Sequence, residues 1–139
     1  MAITGECFCG VVKYEVSGQL MDATSCHCSQ CRKAFNGQGS AFARVKQSEF
    51  KWLSGEDNLS LYESTQGYGI QFCKTCGSTL AGTLNGEVFG VTLGCVNGDP
   101  EVGEITHIHV ASKANWEVMP DGVIQFDQGK PKQDNLDHA

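Results

Sequence analysis

Nothing in this sequence is both long and apolar. Its longest nearly apolar stretch, Val88 to Val96, falls far short of the roughly 20 residues that a membrane-spanning helix needs, so no membrane association is expected. The first ten residues, MAITGECFCG, hold neither the basic segment nor the apolar stretch of a secretory signal. The expected compartment is therefore the reducing cytoplasm. Basic residues are few: 10 Lys and Arg stand against 16 Asp and Glu, and the net charge of −6 argues against nucleic-acid binding. Charged residues make up only 19% and hydrophobic residues 40%, which excludes a disordered chain. There are only 3 prolines, no internal repeat, no interdomain linker and no long segment of helical period.

Glycine is abundant, 17 in 139 residues, and implies many turns. The length suits one domain, expected over residues 1–127, followed by a polar, aperiodic tail over 128–139. The body reads as strands. Val12, Tyr14 and Val16 alternate with Lys13, Glu15 and Ser17. Short aromatic or β-branched runs follow at 41–46, 49–53, 59–63, 68–72, 79–84, 87–93, 105–110, 116–118 and 123–126. Asn85-Gly86 between two of them signals a tight hairpin, because a type I′ turn needs positive φ at both central residues. A second Asn-Gly, at 97–98, leads into another turn. Residues 29–35 can form one short helix capped by Ser29. The predicted class is mainly β, with very little helix.

In a reducing compartment, eight cysteines point to metal ligands or catalytic thiols rather than disulfides. Seven fall into three groups: Cys7 and Cys9; Cys26, Cys28 and Cys31; Cys73 and Cys76. Cys73-Lys74-Thr75-Cys76-Gly77 has the form of a zinc knuckle, in which two thiolates wrap one metal and the glycine lets the chain turn behind them. A redox dithiol is the other reading of such a pair, but it belongs at the start of a helix, and here strands flank it. The knuckle needs two more ligands, and Cys7 and Cys9 are the natural candidates; four cysteines describe a closed, structural zinc site. Cys26, Cys28 and Cys31 then lack a fourth cysteine. Three protein ligands with one open position is the form of a catalytic zinc. Three buried thiols, or a closed site completed by His27, Cys95 or His107, are the alternatives. His27 lies between two ligands, so its ring is expected to point away from their metal. Cys95 reads as a small buried residue of an apolar strand. His107 and His109 would share one face of a strand.

Half the basic residues, Arg32, Lys33, Arg44, Lys46 and Lys51, fall between positions 32 and 51 with Glu49 alone to oppose them. They form either a solvated basic face or a local attraction for a small anion.

These motifs, GECFCGVVKY at 5–14, CHCSQCRK at 26–33, FKW at 50–52, FCKTCGSTL at 72–80 and HIHVASKANW at 107–116, together resemble the glutathione-dependent formaldehyde-activating enzyme family, whose domain also occurs in centromere protein V. The resemblance runs in order from residue 5 to about 126. It implies a β-tent, a single zinc-carrying domain of several small twisted antiparallel sheets. It implies a structural zinc on Cys7, Cys9, Cys73 and Cys76 and a catalytic zinc on Cys26, Cys28 and Cys31, two ions per chain. The implied reaction is a carbon–sulfur lyase reaction, the condensation of glutathione with formaldehyde to S-hydroxymethylglutathione and its reversal. The partners would be a small thiol and an aldehyde. Glutathione is a net anion, which makes Arg32, Lys33, Arg44 and Lys46 the candidate anchors. Many family members carry an Arg just before the knuckle, whereas Gly69-Ile70-Gln71-Phe72 has no basic residue. The competing readings are a non-catalytic zinc module of the same fold, acting in interactions or as a chaperone, and a methionine-sulfoxide-reductase-like redox enzyme using Cys95.

Overall fold

The structure is a computed structural model that describes residues 2–131. Its strands are β1 (Ile3–Glu6), β2 (Lys13–Val16), β3 (Met21–Cys26), β4 (Ser40–Arg44), β5 (Phe50–Ser54), β6 (Leu59–Glu63), β7 (Tyr68–Cys73), β8 (Thr79–Leu84), β9 (Glu87–Thr92) and β10 (Thr106–Ile108). The α-helix α1 (Ser29–Phe35) and four short 3-10 turns are the helical elements of the described residues. No helix among them is long and apolar enough to cross a membrane. The mainly β class read from the sequence therefore holds. The chain groups into two compact units, one of residues 2–23 with 41–104, the other of 24–40 with 105–131.

In the first unit β1, β2 and β5 form one antiparallel sheet, while β4, β9, β8, β7 and β6 are neighbours in that order. The expected hairpin is present. Asn85 and Gly86 have φ of 52° and 84°, and Leu84 pairs with Glu87. The period-two strand buries as its pattern requires: Val12, Tyr14 and Val16 are fully buried, and Lys13 is exposed. Tyr14 is the hub of the core, with Phe50 at 5.2 Å and Trp52 edge-on at 6.0 Å between ring centroids. Leu80, Ala81, Val88 and Val91 complete the core, and Cys7 and Cys73 belong to the same buried cluster.

In the second unit β10 runs parallel to β3, with His107 opposite Ser25 and Ile108 opposite Cys26. An antiparallel arrangement was expected. Local periodicity carries no information on strand direction, so the sequence could not supply it. Two expected strands are not formed. Residues 116–118 leave a turn at 115–116 and continue without regular structure, and 123–126 make only one bridge, Gln125 to His107. Two observed strands, β1 and β3, escaped the reading because ITGE and MDATSC have no apolar alternation. Of the expected tail, 132–139 lie outside the described residues; the Gln128 carbonyl accepts a hydrogen bond from the His109 N–H.

Gly5 lies opposite Tyr14 in the β1–β2 pair, and a Cβ there would overlap the Tyr14 ring. The ring is fully buried and has nowhere to move. Gly5→Ala is expected to destabilise the protein by about 1–3 kcal/mol, the usual cost of overpacking, read as a lower midpoint in urea. An unchanged midpoint would show that the Tyr14 ring is not fixed.

Candidate metal centres

The first unit brings four sulfurs together. Cys7 follows β1 and starts a turn closed by Gly10, whose N–H bonds the Cys7 carbonyl at 3.0 Å with φ of 83°. Cys73 ends β7 and starts a matching turn closed by Gly77, at 2.8 Å and φ of 80°. Each glycine occupies the left-handed region at no steric cost. The sulfurs of Cys7, Cys9, Cys73 and Cys76 all lie within 4.8 Å of one another. Cys7 Sγ to Cys9 Sγ is 3.6 Å and Cys9 Sγ to Cys73 Sγ is 3.8 Å. Four thiolates around a tetrahedral zinc at about 2.3 Å would sit about 3.8 Å apart, so the donor set fits that ion. Donors surround the sulfurs: the Val12 N–H bonds Cys7 Sγ at 3.3 Å and the Asn58 amide bonds Cys73 Sγ at 3.3 Å. Desolvation opposes ionisation of Cys76, but hydrogen bonds from the Ser78 hydroxyl and N–H outweigh it and hold the thiol at about 5. The Val11 N–H favours ionisation of Cys9, yet desolvation and the crowding sulfurs outweigh it and push that thiol up to about 11.

In the second unit three sulfurs, Cys26, Cys28 and Cys31, also lie within 4.8 Å of one another. Cys26 ends β3, and Cys28, in extended conformation, caps α1 by accepting the Cys31 N–H on its sulfur at 3.3 Å. Ser29 was the expected cap. The role falls one residue earlier because Ser29 already has helical geometry, and the sulfur reaches the third N–H of the helix as a cap must. Cys26 is buried, while Cys28 and Cys31 are half-buried. A hydrogen bond from the Cys31 thiol is the main force lowering Cys26 to about 5, and the same bond, with burial, pushes Cys31 well up. Among the described residues no fourth ligand joins this group.

His27 points away from the sulfurs, as expected. Its Nδ1 lies 2.8 Å from Glu117 Oε1, and its Nε2 lies 2.9 Å from His107 Nδ1 and 3.4 Å from Ser25 Oγ. His27 and Glu117 are both buried. Desolvation, reinforced by His27, lowers the His107 pKa below its usual value. His107 and His109 do not share a strand face, because β10 ends at Ile108 and His109 turns left-handed to cap a 3-10 turn. Cys95 lies on another 3-10 turn (Leu93–Cys95) rather than in a strand. It is half-buried, with its thiol raised by desolvation and its sulfur 3.5 Å from the Thr79 carbonyl.

The basic candidates divide between the units. Arg32 and Lys33 follow Cys31 on α1. Lys33 is exposed. Arg32 is half-buried; it donates through Nη2 to the Ser112 carbonyl at 3.3 Å, and its buried Nε has no partner. Arg44, on β4 of the first unit, pairs with Asp22 at 3.1 Å, and Lys46 stands exposed before the 3-10 turn Gln47–Glu49. Sequence reasoning missed Glu117 and Gly39. Glu117 sits in a stretch read as a strand, where an acidic residue between apolar ones would face solvent. Gly39 packs so closely on the Cys26 carbonyl that a Cβ would overlap it, and nothing near it in sequence signals that approach.

A sequence model of the glutathione-dependent formaldehyde-activating enzyme family matches residues 2–112. Among solved structures, the chain is similar to the crystal structure of a Rhodobacter sphaeroides protein at 31% identity. That match has a TM-score of 0.60 and covers 75% of this chain and 98% of the other.

Cysteine must lose its proton to bind a metal. Cys26 is already held low, at about 5, and Cys31 is pushed well up, so protons released on loading the three-sulfur group between about pH 6 and 8 come chiefly from Cys31. Zinc affinity is therefore expected to fall as pH falls through this range, with proton release visible by calorimetry in buffers of different ionisation enthalpy. A pH-independent affinity would show that the sulfurs are not the ligands.

Proposed function

Since the chain belongs to the glutathione-dependent formaldehyde-activating enzyme family, we propose that it is a zinc-dependent carbon–sulfur lyase that forms or cleaves a thiol–aldehyde adduct, S-hydroxymethylglutathione being the first candidate. The observation that carries this reading is the three-sulfur group of Cys26, Cys28 and Cys31, which has no fourth protein ligand among the described residues. Three thiolates and one open position suit a reactive metal better than a structural one. The group of Cys7, Cys9, Cys73 and Cys76 is then the structural site, and the chain takes two zinc ions. Seven grouped thiols suit the reducing cytoplasm.

A metal held by Cys26, Cys28 and Cys31 would keep a substrate thiol deprotonated near neutral pH. In the forward direction the thiol sulfur forms a bond to the formaldehyde carbon, the carbonyl π pair moves to oxygen, and that oxygen takes up the proton the thiol gave up. Cleavage is the reverse. The chain's own part is to hold the anionic thiol. Arg32 suits a carboxylate because its planar fork donates two parallel hydrogen bonds. Its tether through Nη2 to the Ser112 carbonyl holds the guanidinium in place for such a contact. Lys33, exposed on the same helix, adds charge at longer reach. Arg44 and Lys46 are weaker candidates, Arg44 because it already pairs with Asp22.

Metal analysis with turnover of S-hydroxymethylglutathione tests the whole reading. The wild type is expected to hold two zinc ions and to turn over the adduct. Cys28→Ser should lose one ion and turnover while keeping its fold, whereas Cys73→Ser should lose the closed site and with it much of the thermal stability, because structural zinc contributes directly to folding. Equal losses of melting temperature in the two variants would remove the division of roles. Two ions without turnover of any thiol adduct would favour the non-catalytic zinc module.

Arg32→Ala separates anion binding from packing. A charge-assisted hydrogen bond contributes about 1.5–3 kcal/mol. The variant should therefore lose roughly tenfold to a hundredfold in kcat/KM for a glutathione adduct, with a much smaller loss on an uncharged thiol adduct. Equal losses on both substrates, measured by steady-state kinetics, would end the anchoring role.

A further inference from the structure

Residues 116–118 invert the usual pattern of a surface segment. Trp116 is 66% and Val118 86% exposed, while Glu117 between them is only 6% exposed. Turning two large apolar side chains outward to bury one carboxylate is unfavourable unless the carboxylate meets a partner. That partner is His27, the residue between Cys26 and Cys28, at 2.8 Å. The far nitrogen of the same ring meets His107 at 2.9 Å. Three residues distant in sequence thus form one hydrogen-bonded chain, Glu117–His27–His107.

We propose that Glu117 and His107 are positioning residues for the three-sulfur site, acting through His27 to hold Cys26 and Cys28 in register for a metal. The inference rests on the reading of that group as a metal site. Side chains alternate along an extended segment, so a ring fixed on one side at His27 fixes the two flanking sulfurs on the other. The ring is fixed at both ends. An ionised carboxylate only accepts, so His27 donates from Nδ1 to Glu117. The other ring nitrogen, Nε2, meets His107 Nδ1, so each nitrogen of the ring has a hydrogen-bond partner. Each partner dictates the next, and a fully satisfied buried network specifies one geometry. The backbone is pinned as well. The His27 N–H bonds the Ile108 carbonyl at 3.0 Å, and Gly39 lies against the Cys26 carbonyl. The Glu117 backbone is held in turn, its N–H on the Ala114 carbonyl at 3.1 Å and its carbonyl accepting from the Lys113 ammonium at 3.2 Å. The loop can therefore keep its sulfurs converged before a metal arrives, which spares the metal the work of ordering it.

The test is zinc extraction by a chelator, followed in two steps, with the three-sulfur step identified as the one that Cys28→Ser abolishes. Glu117→Ala is expected to weaken that step about tenfold to a hundredfold, the usual effect of removing a residue that supports metal ligands, and to leave the four-sulfur step within about twofold. Glu117→Gln keeps an acceptor oxygen for His27 and should recover most of the affinity. The charge-transfer bands of the cobalt-loaded protein give a second readout, expected to shift in Glu117→Ala and to return in Glu117→Gln. Should Glu117→Ala fail to fold, His107→Ala at its half-buried position decides, with a loss of about tenfold expected at the same step. An unchanged three-sulfur step in a folded variant overturns the proposal, as do parallel losses at both steps that Glu117→Gln does not relieve. A wild type with no three-sulfur step overturns it together with the zinc reading, whereas two wild-type steps with unaltered variants overturn the positioning role alone.

Discussion

Like charges crowded together need a counter-charge, and this protein crowds its cysteines twice. In the first unit four sulfurs lie within 4.8 Å of one another, and two of them, Cys7 and Cys73, are buried in the same cluster as Tyr14 and Leu80. Core and ligand set are thus one object. Four adjacent thiolates repel strongly, and four thiols leave weak donors facing one another. A divalent cation held by the four sulfurs would offset that repulsion, and apolar packing and metal would then stabilise the same geometry.

The two sulfur groups differ in how much chain they close. Cys9 and Cys73 are 64 residues apart in sequence, so the first group ties a long loop. The second draws on six consecutive residues, a strand end, a helix cap and a first helical turn. Closing a long loop orders far more chain than decorating a local turn. Removing a metal from the first group would therefore release strands, whereas removing one from the second would free only a loop that His27 and Gly39 still hold. This asymmetry supports the proposal that the first group serves stability and the second binds exchangeably.

Much of this was legible in the residues. Strands 59–63 and 79–84 fall where their composition placed them, as does helix 29–35, because each is set by local pattern or turn chemistry. The cysteine groups were legible because spacing limits which sulfurs can reach one ion. The rest depends on distant partners. Strand β3 buries Ala23 and Thr24 and follows no apolar rhythm, and its parallel neighbour β10 lies some eighty residues on, with His107 opposite Ser25. Glu117 reads as a surface residue until His27 is seen beside it. Charge was the least reliable guide. Five basic residues between 32 and 51 look like one patch, yet Arg44 serves Asp22 and belongs to a different unit from Arg32.

Arg32 then bears on which molecules the proposed second site would accept. Three thiolates would outweigh a divalent cation by one negative charge, and a substrate thiolate would add another. A site of that sign repels an anionic thiol unless a cation stands close. Arg32 directly follows Cys31, and its guanidinium is tethered through Nη2 to the Ser112 carbonyl. A charge-assisted hydrogen bond contributes about 1.5–3 kcal/mol. In the proposed reaction, a thiol that brings a carboxylate to this guanidinium would gain that contact, while one that lacks an acceptor would not. The same guanidinium that offsets the charge of the sulfurs would thereby select thiols that carry an anionic arm.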